Sequence, residues 1–401
     1  MSMQLKDFYQ GFRDPLTIKA LAQQIQQAVS QLKQTPLKIM EVCGGHTHTI
    51  MKYGLGQILP EQIEFIHGPG CPVCIMPKER IDHAITLAKG QDHILLTLGD
   101  MIRVPGSKGS LAQARAQGAD IRALYSPLDC IKIALENPDK KVIFFAIGFE
   151  TTTPMTAAVI ERAIALKIPN LFFHINHVLV PPAVDALMSE ESCQIQALIG
   201  PSHVSVVSGA KIYSELAKSY QVPIVVSGFE PVDVMQSILM IVQQVLANQA
   251  TVEIQYSRVV TFEGNLKAQA LINRYLEPRD FFRWRGLGDI NNSGLQLKAE
   301  FASLDAEKVF ADQLSNEPIE DHKRCICGDI LRGLATPKDC AVFGRGCDPS
   351  RPLGSCMVSS EGACHAYYKY AEVKLPERVN GEKKVKVKSK LIERGSNNEK
   401  S

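Results

Sequence analysis

Three cysteines in the first hundred residues occupy settings suited to metal or redox chemistry. Cys71 and Cys74 form a Cys-x-x-Cys pair that contains Pro72 and follows Gly68-Pro69-Gly70. Such a pair chelates a soft metal or cycles between dithiol and disulfide. Cys43, in the run Cys43-Gly-Gly-His46-Thr-His48, adds a third thiol and two imidazoles. A structural zinc site built from the three thiols and one histidine is the competing reading of the same residues. A second group, Cys325, Cys327, Cys340, Cys347, Cys356 and Cys364, lacks the compact ferredoxin run Cys-x2-Cys-x2-Cys. Four of its thiolates, from well-separated turns, could hold an iron–sulfur cluster or zinc, leaving two as an adjacent redox pair. A segment so poor in apolar runs needs a metal to order it.

The remaining polar candidates end predicted strands. Asp100, Glu150 and Glu230 are the carboxylates among them, and helix N-terminal capping is the structural role open to each. Arg103 is a natural ion-pair partner for Asp100. His174, His177 and His203 read as satisfied polar groups at sheet ends, and Cys130 and Cys193 as inert buried thiols.

These residues need a scaffold, and the apolar pattern supplies one. Continuous apolar runs predict strands at Leu37–Val42, Ile63–His67, His93–Leu98, Val142–Ile147, Leu171–Ile175, Ile195–Ile199 and Pro223–Val226. Helical spacing follows at Pro77–Lys89, Pro127–Glu136, Thr153–Leu166, Pro182–Ser189, Ala210–Tyr220 and Pro231–Leu246. An earlier helix, capped by Asp14 and started by Pro15, carries Ile18, Leu21, Ile25, Val29 and Leu32 on one face. Strands apolar throughout and separated by helices indicate parallel sheets covered on both sides. Ligands in such sheets bind where loops converge at the strand carboxyl ends, which is where nearly every unusual polar cluster falls. The expected division is an α/β domain over residues 1–140, a second over 141–255, a Cys-rich portion over 256–375 and a basic tail over 376–401. Arg279–Leu297, with Trp284 among Gly, Asn and Arg, reads as a loop-rich linker. Gly-Phe-Glu occurs at 148–150 and again at 228–230, a short hint of two similar units.

Composition narrows the function further. The 401 residues carry 44 Lys and Arg against 42 Asp and Glu, a net +2. Residues 374–401 hold nine of the former and four of the latter, so the preceding body is net −3. That body has no electrostatic footprint for nucleic acid, and the tail reads as a solvated, disordered end. No apolar run approaches the roughly 18 residues of a membrane span, and no export signal is visible, so a cytoplasmic protein with reduced thiols is expected. Eleven cysteines then point to metal or redox chemistry instead of structural disulfides. No Gly-x4-Gly-Lys-Ser/Thr or strand-following Gly-x-Gly-x-x-Gly is present, which disfavours nucleotide processing.

Taken together, Cys43-Gly-Gly-His-Thr-His48, Gly68-Pro-Gly-Cys-Pro-Val-Cys74, Gly148-Phe-Glu-Thr-Thr152 and Cys356-Met-Val-Ser-Ser-Glu-Gly-Ala-Cys364 resemble the HypD family of nickel–iron hydrogenase maturation factors. The likeness runs from about residue 8 to residue 372. It implies two Rossmann-like parallel-sheet α/β domains plus a smaller Cys-rich iron–sulfur domain with a 4Fe-4S cluster. The family's cluster motif separates cysteines by 14, 6 and 16 residues, the gaps between Cys325, Cys340, Cys347 and Cys364. Cys327 and Cys356 remain as the spare pair. The resemblance marks Cys43 as a ligand of the iron that becomes Fe(CN)2CO, with Cys71, Cys74 and His46 beside it. It also implies a stable complex with HypC, cyanide from HypE with HypF upstream, and delivery to the hydrogenase large subunit through HypC. Asp100 and Glu150 become candidates for proton handling or for orienting His46. The reading is of an assembly scaffold with redox activity, not a conventional turnover enzyme. Its rivals are a thiol–disulfide oxidoreductase with a cluster but no iron-scaffold role, and a zinc-stabilised binding module. The scaffold reading places Cys43 with the Cys71/Cys74 couple around one vacancy.

Overall fold

The computed structural model of the chain describes residues 11–315 and 317–370. The basic tail at 376–401 lies outside the described residues. Nine strands build two sheets: β1 (Leu37–Glu41), β2 (Ile63–His67), β3 (His93–Leu98), β4 (Ile121–Leu124), β5 (Lys141–Gly148), β6 (Leu171–His177), β7 (Ala197–Pro201), β8 (Ile224–Ser227) and β9 (Val252–Ile254). The first sheet has the order β2-β1-β7-β8-β9 and the second β4-β3-β5-β6. Every pairing within them is parallel, as the continuously apolar strands require; Val142–Gly148 of β5 is buried along its whole length.

The sheets do not divide at residue 140. β3 and β4 precede that boundary and β5 and β6 follow it, within one sheet. The chain then returns at β7 to complete the sheet begun by β1 and β2. A parallel pair needs a crossover between its strands, and here the crossover from β2 to β7 contains the whole second sheet. Both sheets keep the order second, first, third, fourth, so each has a point, between β1 and β7 and between β3 and β5, where connections leave in opposite directions. The repeated Gly-Phe-Glu follows the third strand of one unit and the fourth of the other, so its two copies are not topologically equivalent.

Seven helices matter for positioning: α1 (Pro15–Val29), α2 (Gly44–Lys52), α3 (Lys78–Ala88), α4 (Thr153–Ala165), α5 (Pro231–Leu246), α6 (Leu266–Tyr275) and α7 (Ala363–Tyr370). Asp14 accepts the Thr17 N–H at 2.8 Å and caps α1, which packs on α5 through Leu21, Ile25 and Val29. The α6 helix lies on α4, and α7 on α2.

Residues 276–297 correct an expectation. They form two small antiparallel ladders, β10 (Leu276–Pro278) with β13 (Leu295–Leu297) and β11 (Phe281–Trp284) with β12 (Gly288–Asn291), in place of a loop-rich linker. Trp284 organises them: it is fully buried, its Nε1–H donates to Ser293 Oγ at 2.8 Å, and its ring lies 6.0 Å from Phe149. Burying an indole with its one donor satisfied offsets the weak local propensity of so many Gly and Asn residues.

Candidate functional site

Cys43 sits at the switch point of the first sheet, directly after β1 and as the N-cap of α2. Its Sγ accepts the Gly45 N–H at 3.4 Å and lies 3.5 Å from His203 Nε2, in the segment that follows β7. The side chain is buried. Burial raises the thiol's pKa well above the ordinary range, and the Glu41 and Glu361 carboxylates push the same way, against the Gly45 N–H. Cys43 is therefore a protonated thiol until a cation or a reacting sulfur replaces the proton. Beneath it, Glu41 Oε2 accepts the Cys43 N–H at 3.0 Å, while Oε1 lies 2.7 Å from His67 Nδ1 and accepts the Thr47 hydroxyl. This fully buried carboxylate ties β1, β2 and α2 together under the cysteine.

The Gly68-Pro-Gly loop brings the Cys71/Cys74 turn against Cys43 through backbone. Gly44 N–H donates to the Gly70 carbonyl at 3.1 Å and Gly68 N–H to the Glu41 carbonyl at 2.9 Å. A side chain at Gly70 would place its Cβ 2.5 Å from the Cys43 backbone nitrogen and carbonyl carbon, so only glycine permits the approach. Cys74 N–H donates to the Cys71 carbonyl at 3.0 Å, closing the Cys-x-x-Cys turn. Among the described residues, the sulfurs of Cys43, Cys71 and Cys74 do not all lie within 4.8 Å of one another. Cys43 thus meets the pair through main chain and not in a closed three-thiol chelate.

From Cys71 and Cys74 a run of thiols leads into the C-terminal portion. Cys74 shares hydrogen bonds with the Cys71 and Cys356 thiols, and its carbonyl accepts the Ser355 hydroxyl. Cys356 bonds Cys327 as well as Cys74; those two donors lower its pKa against the cost of burial. Cys327 contacts Cys364, and its Sγ lies 3.2 Å from Cys325 Sγ. Thiols from three distant parts of the sequence therefore touch in series.

The cysteines expected to hold a cluster lie in separate segments of the C-terminal portion. Cys325 and Cys364 both contact Cys327, and Cys347 Sγ accepts the Leu353 N–H at 3.3 Å, the kind of donor that stabilises a cluster thiolate. Cys340 Sγ lies 3.8 Å from the carbonyl of Arg324, the neighbour of Cys325. Gly354 leaves space beside them, since a Cβ there would fall 2.6 Å from Cys325 Sγ and 2.7 Å from Cys327 Sγ. Four all-sulfur donors on separate turns match the ligand set of a 4Fe-4S cluster.

Other sequence candidates fall differently. His46 is fully buried, and its Nε2–H donates to the carbonyls of Gly228 (3.0 Å) and Ser227 (3.3 Å). Main chain after β8, not Asp100 or Glu150, therefore orients it. Its Nδ1 has no hydrogen-bond partner, and burial lowers its pKa to about 4, so it is neutral. His48 points along α2 toward the Tyr370 hydroxyl, 3.4 Å away. Asp100 is exposed and pairs with Arg103 at 3.4 Å. Glu150 is buried; its Oε1 accepts the Val180 N–H at 2.9 Å, while Oε2 has no partner. Burial raises its pKa to about 7. Glu230 caps α5 and pairs with Arg13 at 2.5 Å.

Among the described residues, one trio has ligand atoms within 4.8 Å of one another, namely His83, His174 and Glu307. Its hydrogen bonds are already complete. Asn176 Nδ2 donates to His174 Nδ1 at 2.9 Å, leaving His174 Nε2–H for His83 Nδ1 at 3.3 Å and His83 Nε2–H for the Ser315 carbonyl at 2.6 Å. Glu307 is clasped by Arg80 and Arg279. Two guanidiniums and a satisfied imidazole chain make this a structural network, not a cation site.

Sequence reasoning missed Glu41 and Glu361. Glu361 lay inside the quoted Cys356–Cys364 motif, and Gly44 gave the signal for its closeness: a Cβ there would fall 2.8 Å from Glu361 Cα.

These features define a two-sheet α/β protein in which a buried cysteine at a switch point adjoins a chain of thiols from a cysteine-rich end. The HypD family model, described as "Hydrogenase formation hypA family", matches residues 16–371. The chain is 49% identical over 365 residues to a protein of Azotobacter vinelandii named hydrogenase maturation factor HypD, covering 90% of this chain and 95% of that one. It is 44% identical over 368 residues to the protein of that name from Escherichia coli K12, covering 91% and 98%. The chain belongs to the HypD family. Among its described residues no helix is long and apolar enough to cross a membrane.

Proposed function

We propose that this chain is a hydrogenase maturation factor on which, in complex with HypC, the Fe(CN)2CO group is assembled with Cys43 as an iron ligand. The run of touching thiols from Cys325 and Cys364 through Cys327, Cys356 and Cys74 to Cys71 carries this reading, because it ends against the Cys43 backbone. Cyanide arriving from HypE as a thiocyanate, R–S–C≡N, must be cut from sulfur by two electrons. The Cys71/Cys74 dithiol supplies them: one thiolate attacks the sulfur and expels cyanide, and the other displaces R–S⁻ from the mixed disulfide. The products are a Cys71–Cys74 disulfide, R–SH and HCN, which balances atoms and electrons. Exchange with the Cys327/Cys356 dithiol restores the first pair and leaves a Cys327–Cys356 disulfide.

Cys325, Cys340, Cys347 and Cys364 would hold the 4Fe-4S cluster. When bound, it supplies electrons singly, two transfers being needed for each disulfide. His46 and His203 are both neutral, since burial lowers the pKa of each to about 4. Delivery to the hydrogenase large subunit would follow through HypC.

Iron capture by the HypC complex of Cys43→Ala tests the scaffold role. The expected result is loss of bound iron and of cyanide and carbonyl infrared bands, with thiol exchange at Cys71/Cys74 retained. Undiminished iron capture would leave the oxidoreductase reading in its place.

A further inference from the structure

Phe229 is the middle residue of the second Gly-Phe-Glu, directly after β8, and takes no part in the chemistry proposed above. Its ring lies between two imidazoles. The centroids are 4.6 Å from His46, with the planes at 31°, and 5.0 Å from His203, at 38°. The Cys43 sulfur is close by. A Cβ added at Gly45 would sit 2.9 Å from the Phe229 ring and 3.6 Å from Cys43 Sγ, so ring and sulfur flank one small gap that glycine leaves open. The first Gly-Phe-Glu does nothing comparable, since Phe149 rests on Trp284.

The main chain around Phe229 is tied from several directions. The Thr49 hydroxyl donates to the Phe229 carbonyl at 2.6 Å, and the Gly228 N–H donates to Gln255 Oε1 at 3.0 Å. The Gly228 carbonyl accepts His46 Nε2–H, and Arg13 grips the Glu230 carboxylate through two nitrogens. The ring is therefore a fixed wall. His203 is held less completely. Among the described residues its imidazole has one hydrogen-bond partner, Cys43 Sγ at 3.5 Å, whose protonated thiol donates to the Nε2 lone pair. One such contact leaves the imidazole plane free to turn about it, and the Phe229 face removes that freedom. We propose that Phe229 is a positioning residue of this site: wedged between His46 and His203, its ring holds His203 Nε2 on the Cys43 thiol. The consequence, a sulfur kept in one orientation for incoming iron, rests on the scaffold reading above; the wedge itself does not.

The test is the infrared S–H stretch of Cys43 in the full chain, isolated as the band that Cys43→Ser removes. His203→Leu should move this band to higher frequency, because the thiol loses its acceptor, and Phe229→Leu should move it the same way. The double variant should shift no further than His203→Leu alone, since the ring acts through the imidazole. Phe229→Tyr keeps the ring and should leave the band in place; Phe229→Met replaces the leucine variant if that one does not fold. A band unmoved by either single leucine variant, or shifts that add in the double one, would overturn the wedge. In the HypC complex, Phe229→Leu should lower iron capture and Phe229→Tyr should retain it. Full iron capture by Phe229→Leu would overturn the consequence for iron. Iron capture unchanged in Cys43→Ala would sink the scaffold reading, while the band shifts would still support the wedge.

Discussion

Replacing Gly70 with alanine tests whether the Cys71/Cys74 turn must touch Cys43 for the protein to work. The new methyl carbon would lie 2.5 Å from the Cys43 backbone nitrogen and carbonyl carbon, where ordinary contact is about 3.5 Å. Both neighbours are backbone, so no side chain can swing aside, and relief requires the loop to retreat by about 1 Å. The Gly44 N–H to Gly70 carbonyl bond would be lost or stretched, at about 1 kcal/mol. The total cost in stability is that of overpacking, about 1–3 kcal/mol, which a protein of this size survives. Function should suffer far more, because a misplacement of about 1 Å at a reacting centre can lower a rate about 100-fold. The assay is the rate at which cyanide-bearing iron accumulates in the HypC complex, read by infrared absorption, with urea unfolding as the stability check. Gly99→Ala is the control, because nothing lies within 4 Å of a Cβ there although Gly99 also follows a strand. A Gly70→Ala protein that accumulates cyanide-bearing iron as fast as Gly99→Ala would refute the claim that backbone contact couples the pair to Cys43.

Two further outcomes follow from buried charge. Glu150 titrates near pH 7 in the folded chain against an ordinary value of 4.5, so between those values the folded state holds a proton that the unfolded state has released. Stability should fall as pH rises from about 4.5 to 7, by up to about 3 kcal/mol, and be level above; Glu150→Gln should abolish that slope in urea titrations at a series of pH values. A slope unchanged by the substitution would mean that another group carries it. Glu307→Gln leaves Arg80 and Arg279 clasping a neutral group, and should destabilise the chain by about 3 kcal/mol. Added zinc should not restore the loss; recovery on adding zinc would mean that His83 and His174 do form a metal site.

The strands around the site were legible because a parallel sheet covered on both faces demands uninterrupted apolar runs, and His93–Leu98 or Val142–Ile147 satisfy that demand without ambiguity. Of the four edge strands, β2 and β6 were legible, while β4 and β9 were not. Ile121–Leu124 has only its end residues buried, and Arg122 turns aside to pair with Asp120 at 2.7 Å, so it carries no such run. The α2 helix was hidden for another reason: Gly44, Gly45, Thr47 and Thr49 are poor helix formers. The helix persists because Cys43 caps it and α7 packs along it. Which strands share a sheet was unreadable, since a strand's own residues do not specify its neighbour across a long crossover. The cysteines were found because their chemistry is rare. Glu41 was missed because a carboxylate inside a strand looks like any other until its burial beneath Cys43 is seen.

The direction of exchange between the two dithiols follows from the same contacts. Cys356 is pushed toward its thiolate by hydrogen bonds from Cys327 and Cys74, whereas Cys74, Cys325 and Cys364 are pushed the other way. Thiolate is the attacking form in exchange, and Cys356 already touches Cys74. It should therefore open an oxidised Cys71–Cys74 pair at Cys74, and Cys327, on its other side, should resolve the mixed disulfide. Cys327→Ser should then trap a Cys356–Cys74 link after one turnover with a thiocyanate donor. Mass spectrometry of the unreduced, alkylated chain would detect it. Cys356→Ser should trap no link and leave Cys71–Cys74 oxidised. A trapped bond from Cys356 to Cys71, or one between Cys327 and Cys74 in the absence of Cys356, would show that the order of attack is set by something other than the contacts of Cys356.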